Sequence, residues 1–366
     1  MKYYSLDRIL LKNADYNIIF GERSNGKTYA LLMYSVDRFV DSGYKEQTAI
    51  IRRWREDIKG KRAETLYNGL VSNNYISEKT DGRFTEIYYF NGRFYLSKWD
   101  EKLKKHVPFE RPLAYCFALS EMEHDKSTSY PDITTIVFDE FITRKYYLND
   151  EFMLFLNVLS TIIRDRNNVK IFMLGNTVNK YNPYFKEMGL KHVTTQEQGT
   201  IDLYQFGKSQ LTIAVEYANT TAKGKKSNKY FCFDSESVKM IVGGAWELAI
   251  YPHLTVSYDK KKDVVFMYFI EFNENILQCE IIQKDNNYFT YIHEKTTPLK
   301  NDQRDLIYSL EPKERANYKR RLLSTTTPLE TKITKFYAMD KVFYQNNEVG
   351  EIVRNYIQQS QLSQYR

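Results

Sequence analysis

A glycine-rich loop set between an apolar run and an amphipathic stretch constrains this chain more than any other feature. Tyr16-Asn17-Ile18-Ile19-Phe20 has the composition of a buried parallel strand. Tyr29 to Val40 carries Tyr29, Leu32, Met33, Val36, Phe39 and Val40 at helical spacing. Between them Gly21-Glu22-Arg23-Ser24-Asn25-Gly26-Lys27-Thr28 fits G-x-x-x-x-G-K-[ST]. The glycines let the backbone curl so that successive N–H groups face phosphate oxygens, with a helix dipole behind them. Lys27 then reaches the β- and γ-phosphates, and Thr28 offers its hydroxyl to Mg²⁺. A chance glycine-rich turn would rarely have a strand before it and a helix after it, so ATP and Mg²⁺ are the expected cofactors. Arg23 is an unusual basic residue inside the loop. It can reach the nucleotide or Glu140, or remain a solvated loop residue.

Hydrolysis needs an acid on the metal and a group that orients water. Thr134-Thr135-Ile136-Val137-Phe138-Asp139-Glu140 supplies both: an apolar strand ends in Asp139, suited to the metal, and Glu140, suited to polarising water. A buried strand leaving into a polar turn would look the same, but not commonly downstream of a phosphate loop. Gln47 to Trp54, Lys170 to Thr177 and Leu211 to Tyr217 read as further strands. Short apolar strands alternating with helical patterns predict an α/β fold with a central parallel sheet covered on both faces. Asn176, ending the Lys170 strand, either senses the γ-phosphate or caps a turn. Phe152 to Ile163 reads as an apolar helix running into Arg164-Asp165-Arg166. One of these arginines could serve as a finger on the transferring phosphoryl group, or both could simply complement the helix dipole.

The remaining composition narrows the setting. With 366 residues there is room for two domains. Lys and Arg total 53 against 46 Asp and Glu, a modest excess that permits a polyanionic partner without demanding one. Cys116, Cys232 and Cys279 are scattered, which argues against a disulfide framework or structural zinc and fits a reducing cytosol. No signal segment and no apolar run of membrane-spanning length is apparent, so no membrane is expected. The nucleotide motifs lie in residues 1–220. A small, polar and basic stretch opens a linker over 221–252, with a helix expected from Phe233 to Ile250. Residues 253–366 then read as a small α+β domain. Strand-like runs at Leu254–Tyr258, Val264–Phe272, Ile276–Ile282 and Tyr288–Ile292 suggest a meander, with helices at Thr297–Leu323 and Val349–Gln361.

The phosphate loop, Ile136-Val137-Phe138-Asp139-Glu140, the Arg164/Arg166 segment and Met173-Leu174-Gly175-Asn176-Thr177 together resemble the encapsidation ATPases of small protein-primed podoviruses, compact relatives of large terminases. The resemblance covers roughly the first 220 residues. It implies a P-loop ATPase of the additional-strand class, acting as a homo-oligomeric, pentameric ring on the portal of a procapsid in the host cytoplasm. Such a ring drives double-stranded DNA inward, in some members beside a structural RNA. By position Lys27 and Thr28 match the phosphate-loop pair, Asp139 the metal acid, Glu140 the catalytic acid, and Arg164 or Arg166 the trans-acting finger. The resemblance also implies a C-terminal ribonuclease-H-like domain. Its first long strand here carries no acid before Glu271 and the next only Glu280, so a nuclease-dead docking domain is expected. The basic run holding Lys59, Lys61 and Arg62 could grip DNA phosphates without reading sequence, or form an ordinary solvated face. Lys102, Lys104 and Lys105 are a weaker candidate. Two rival readings are a nucleotide-switched binding module with incidental hydrolysis, and a packaging ATPase that still cuts DNA.

Overall fold

The computed structural model describes residues 4–124, 128–207, 210–219, 246, 249–311 and 313–361. The chain forms two compact units, Met1–Glu247 and Leu248–Arg366. Nearly all of the helix expected at Phe233–Ile250 and of the 221–252 linker lies outside the described residues.

The first unit is built on one sheet. Its strands are β1 (Tyr16–Gly21), β2 (Gln47–Arg52), β3 (Glu86–Phe90), β4 (Arg93–Asp100), β5 (Lys105–Pro108), β6 (Ala114–Ala118), β7 (Ile133–Asp139), β8 (Lys170–Asn176), β9 (Ile201–Phe206) and β10 (Leu211–Tyr217). They lie in the order β3-β4-β6-β2-β7-β8-β1-β10-β9, with β5 on the outer side of β4. From β6 to β10 every pairing is parallel, and β9, β4, β3 and β5 add antiparallel edges. The central strands are buried on both faces, which is why they read as continuous apolar runs. The Lys27–Asp41 and Glu151–Ile163 helices pack into the two layers of this core. Strand β8 lies between the phosphate-loop strand β1 and the acid-pair strand β7.

Parallel register decides what meets at the sheet's carboxyl edge. Gly21 pairs with Asn176, Leu174 with Asp139, and Ile51 with Phe138, so Arg52 and Asp139 leave the sheet together. Ligands of open α/β sheets bind at this edge.

The second unit carries β11 (Val264–Phe272), β12 (Asn275–Lys284), β13 (Asn287–Glu294), β14 (Leu306–Ser309), β15 (Tyr318–Lys319) and β16 (Val342–Tyr344), ordered β15-β14-β11-β12-β13-β16. The meander expected from Val264 to Ile292 is present as β11 to β13. Its tight turns place Asn273, Glu274, Asp285 and Asn286 at positive φ. Two expectations fail here. Leu254–Tyr258 is irregular, because β16 takes the edge of β13 and Tyr258 instead sends its hydroxyl to Glu280. Thr297–Leu323 is not a helix. Leu306-Ile307-Tyr308-Ser309 forms β14 and supplies β11 with a parallel partner. The helix lies further on, at Pro328–Ala338, capped by Thr327 accepting from the Glu330 N–H. A last helix spans Asn347–Gln361. Among the described residues no helix is long and apolar enough to cross a membrane.

Candidate nucleotide site

A cleft of about 590 Å³ opens at the carboxyl edge of the first unit, lined by residues of the phosphate loop, Asp139, Glu140, Asn176 and the Thr143-Arg144-Lys145 turn. The loop bends through Gly21, whose missing Cβ would press on the backbone of Ala218, and through Gly26 at φ +94° before the helix begins at Lys27. Arg23 and Ser24 are exposed at its tip, whereas Glu22 and Asn25 are buried.

Lys27 is buried and turns its ammonium into the loop. It donates to the Glu22 carbonyl at 2.7 Å, the Asn25 Oδ1 at 3.2 Å and the Asn176 Oδ1 at 3.3 Å. Burial pushes it down from the usual lysine range to about 8, against the opposing pull of the Asp139 charge. Thr28 Oγ1 stands 3.3 Å from both carboxylate oxygens of Asp139. A hydroxyl and a carboxylate facing each other in this way are hard oxygen donors suited to Mg²⁺, which keeps most of its waters and takes few protein ligands. The residues therefore fit the cation.

Arg52, at the end of β2, spans both acids: one guanidinium nitrogen lies 2.7 Å from Asp139 and the other 2.9 Å from Glu140. Glu140 is exposed, adopts φ +60° and lines the cleft. The turn it opens crosses Gly175 closely. A Cβ on Gly175 would fall 2.7 Å from Ile142 Cδ1, so this position of β8 admits only glycine without rearrangement.

Arg164 and Arg166 are not brought to this cleft. Arg166 donates to the carbonyls of Tyr130, Pro131, Ile133, Ile162 and Ile163, clasping the start of β7, the end opposite Asp139. Arg164 is exposed and donates to the Thr128 carbonyl at 3.2 Å. The basic segment after Trp54 is regular rather than looped. It folds as a 3-10 turn over Arg55–Ile58 and a short helix over Gly60–Glu64, which leaves Lys59 and Lys61 exposed and pairs Arg62 with Asp57 at 2.7 Å. Arg62 also lines a small second cleft together with Arg52 and Glu140. Reading the sequence alone missed Arg52, which bridges the two acids, and the cleft-lining residues Arg144 and Lys145. The placement of Arg52 at the end of a strand, and of Arg144 four residues after the acid pair, was the available signal.

The model of one protein family, Podovirus DNA encapsidation protein (Gp16), matches residues 1–302. The chain belongs to this family. Among encapsidation-family relatives, the DNA packaging proteins of Bacillus phages PZA and phi29 are each 33% identical over 187 residues, covering 50% of this chain and 47% of theirs. The DNA packaging protein of Bacillus phage B103 is 31% identical over 189 residues, 51% of this chain and 50% of that one. The chain thus spans about half the length of the curated relatives it matches. Over nearly the whole of both chains the fold is similar to the bacteriophage Phi-29 viral genome packaging motor assembly, with TM-score 0.54, 20% identity and coverage of 98% and 99%. It is also similar to the Phi-28 gp11 DNA packaging motor, with TM-score 0.52, 16% identity and coverage of 100% and 99%.

Proposed function

We propose that this encapsidation-family chain is the ATPase subunit of a viral genome-packaging motor, which couples ATP hydrolysis to movement of double-stranded DNA through a portal into a procapsid. The observation that carries the reading is the convergence of Lys27, Thr28, Asp139, Glu140 and Asn176, from three separate segments, on one cleft. Lys27 binds the β- and γ-phosphates, Gly21 to Gly26 wrap them, and Glu140 orients the attacking water. Thr28 and Asp139 are the residues that would hold Mg²⁺, which when bound neutralises phosphate charge. Asn176 reports the γ-phosphate to β8. Position of β8 between β1 and β7 supports assignment to the additional-strand class.

Hydrolysis is assigned to subunit interfaces of a homo-oligomeric ring, taken as a pentamer, with a structural RNA as a further possible partner at the portal. Of the two finger candidates, Arg164 is the choice, since its side chain is exposed while Arg166 is committed to five carbonyls. Lys59, Lys61 and Arg62 are the candidate grip on DNA phosphates, and the cleft Arg62 lines with Arg52 and Glu140 offers a route between grip and catalysis. The site of action is the host cytoplasm, on the portal vertex during assembly.

For the second unit we infer a nuclease-dead, ribonuclease-H-like docking domain. Its antiparallel β13-β12-β11 meander continued by parallel β14 supports the fold. Glu280 on β12 is buried and held by Tyr258 at 2.5 Å, Gln278 at 2.6 Å, His293 at 3.2 Å and Lys260 at 3.3 Å, which makes it an internal anchor.

The deciding experiment supplies the chain with procapsids, portal and linear duplex DNA, and measures nuclease-protected DNA and ATP turnover together. Wild type protects DNA in an ATP-dependent manner and DNA of any sequence stimulates hydrolysis. Equal protection by Lys27→Ala would sink the motor reading, and slow hydrolysis indifferent to DNA would favour a nucleotide switch. Plasmid cutting in Mn²⁺ would overturn the nuclease-dead assignment.

A further inference from the structure

Beneath the Glu140 turn lies a buried ion pair that the hydrolysis scheme above does not use. Arg53 follows β2 directly and is 6% exposed, while Glu151, the first residue of the Glu151–Ile163 helix, is 2% exposed. Arg53 Nε donates to one Glu151 carboxylate oxygen at 2.7 Å and a second guanidinium nitrogen donates to the other at 2.8 Å, a bidentate fork. The same guanidinium donates to the Phe141 carbonyl at 2.7 Å and to the Glu140 carbonyl at 3.2 Å, and stacks over the Tyr147 ring at 5.0 Å. Glu151 is held in turn by the Tyr184 hydroxyl at 2.7 Å and the Leu148 N–H at 2.8 Å.

Two physical points give this network a purpose beyond packing. Glu140 sits at φ +60°, a conformation that non-glycine residues persist in only when their surroundings over-determine it. Its neighbour is tied on one side by the Phe141 N–H donating to the Leu174 carbonyl at 3.1 Å, and the two carbonyls facing the other way both end on Arg53. A buried ion pair, moreover, commonly adds little to stability compared with well-packed apolar residues of the same shape. Arg52 and Arg53 divide the work: Arg52 holds the side chains of Asp139 and Glu140, and Arg53 holds the backbone that carries them.

We propose that Arg53 is a positioning residue for ATP hydrolysis, which with Glu151 and Tyr184 clamps the Glu140–Phe141 backbone and so fixes the carboxylate that orients water. The inference rests on the ATPase reading above. It is tested on the full chain by steady-state ATPase kinetics, binding of a fluorescent ATP analogue, and thermal unfolding. Arg53→Lys keeps a charge beside Glu151 but cannot serve both carbonyls. Misplacing the base lowers kcat by about 10- to 100-fold, with KM and analogue affinity within about twofold of wild type. The apolar triple variant Arg53→Met/Glu151→Leu/Tyr184→Phe removes both charges and the hydroxyl together, leaving only the Leu148 N–H and the Glu140 and Phe141 carbonyls to find other partners; it still folds and stays equally slow. A folded triple variant that hydrolyses at the wild-type rate would overturn the clamp, and so would Arg53→Lys if it weakened analogue binding in step with kcat. Should the triple variant fail to fold, the kcat-against-KM split of Arg53→Lys decides alone. A wild-type chain that hydrolyses nothing would instead sink the ATPase reading itself.

Discussion

Lys27 touches Asn176: the ammonium of the phosphate loop lies 3.3 Å from the amide oxygen at the end of β8. On the proposed reading a γ-phosphate would compete for that same ammonium, and its arrival would release the amide. Asn176→Ala is expected to keep ATP binding within a few-fold and to lower kcat by about tenfold or more, with loss of DNA stimulation. ATPase assays with and without duplex DNA check this; unchanged stimulation would remove Asn176 from the coupling.

The buried lysine also sets a pH dependence. Lys27 in the folded chain is lowered to about 8, below its value in an unfolded chain, so between those two values the unfolded state binds more protons and stability rises with pH. Nucleotide binding responds oppositely. Phosphates need the charged ammonium, so ATP affinity is expected to weaken as pH rises above about 8, with proton uptake on binding. Calorimetry in two buffers of different ionisation enthalpy measures that uptake, and no uptake at pH 9 would contradict it.

Glu140→Gln keeps the shape of the side chain and removes its basicity. The expected outcome is ATP bound at near wild-type affinity and turnover lowered by about 100-fold or more, read by filter retention of labelled nucleotide and by phosphate release. Lys27→Ala is expected to lose both. Wild-type turnover in Glu140→Gln would mean that another group orients the water.

Gly175 is pinned by packing. Adding one methyl there sets a carbon 2.7 Å from Ile142 Cδ1 and 3.0 Å from Phe141 Cε1, so Gly175→Ala must shift the Ile142 and Phe141 side chains that pack behind Glu140. A loss of about 1–3 kcal/mol in denaturant unfolding is expected, together with slower hydrolysis. A variant with wild-type stability and rate would show that the turn has room to give.

In the second unit burial would raise the Glu280 carboxyl, but hydrogen bonds from His293, Tyr258 and Gln278 and the charge of Lys260 outweigh it and hold the group at about 2. Because the folded value lies below the unfolded one, this contribution is present above pH 4.5 and is lost as pH falls toward 2. Glu280→Gln is therefore expected to be less stable than wild type at neutral pH, with the difference shrinking in acid. Denaturant melts at pH 7 and pH 3 make the comparison.

Much of the sheet was legible because its central strands are buried on both faces and so announce themselves as apolar runs. The edges were not. The β3–β4 hairpin turns on Asn91-Gly92, both at positive φ, a strong hairpin signal, but its strands are only half buried and their mixed polarity masked the alternation. Thr297–Leu323 misled for a related reason. The four-residue β14 is too short to show a period, while Thr327-Pro328-Leu329-Glu330 marked the true helix start by its capping pattern. Within the site, motif spacing singles out residues that line the cleft, such as Lys27 and Asp139. Arg52 and Arg53 act on protein atoms instead, and only parallel register brings β2 beside β7.

The Glu151–Ile163 helix has 13 residues and is about 20 Å long. Its first residue is bolted under the Glu140 turn and its last is followed at once by Arg164. Such a rod cannot tilt at one end without swinging the other. In a ring where Arg164 enters an adjacent copy's pocket, the local state of one active centre would be felt next door as a mechanical displacement, giving the subunits a reason to fire in turn.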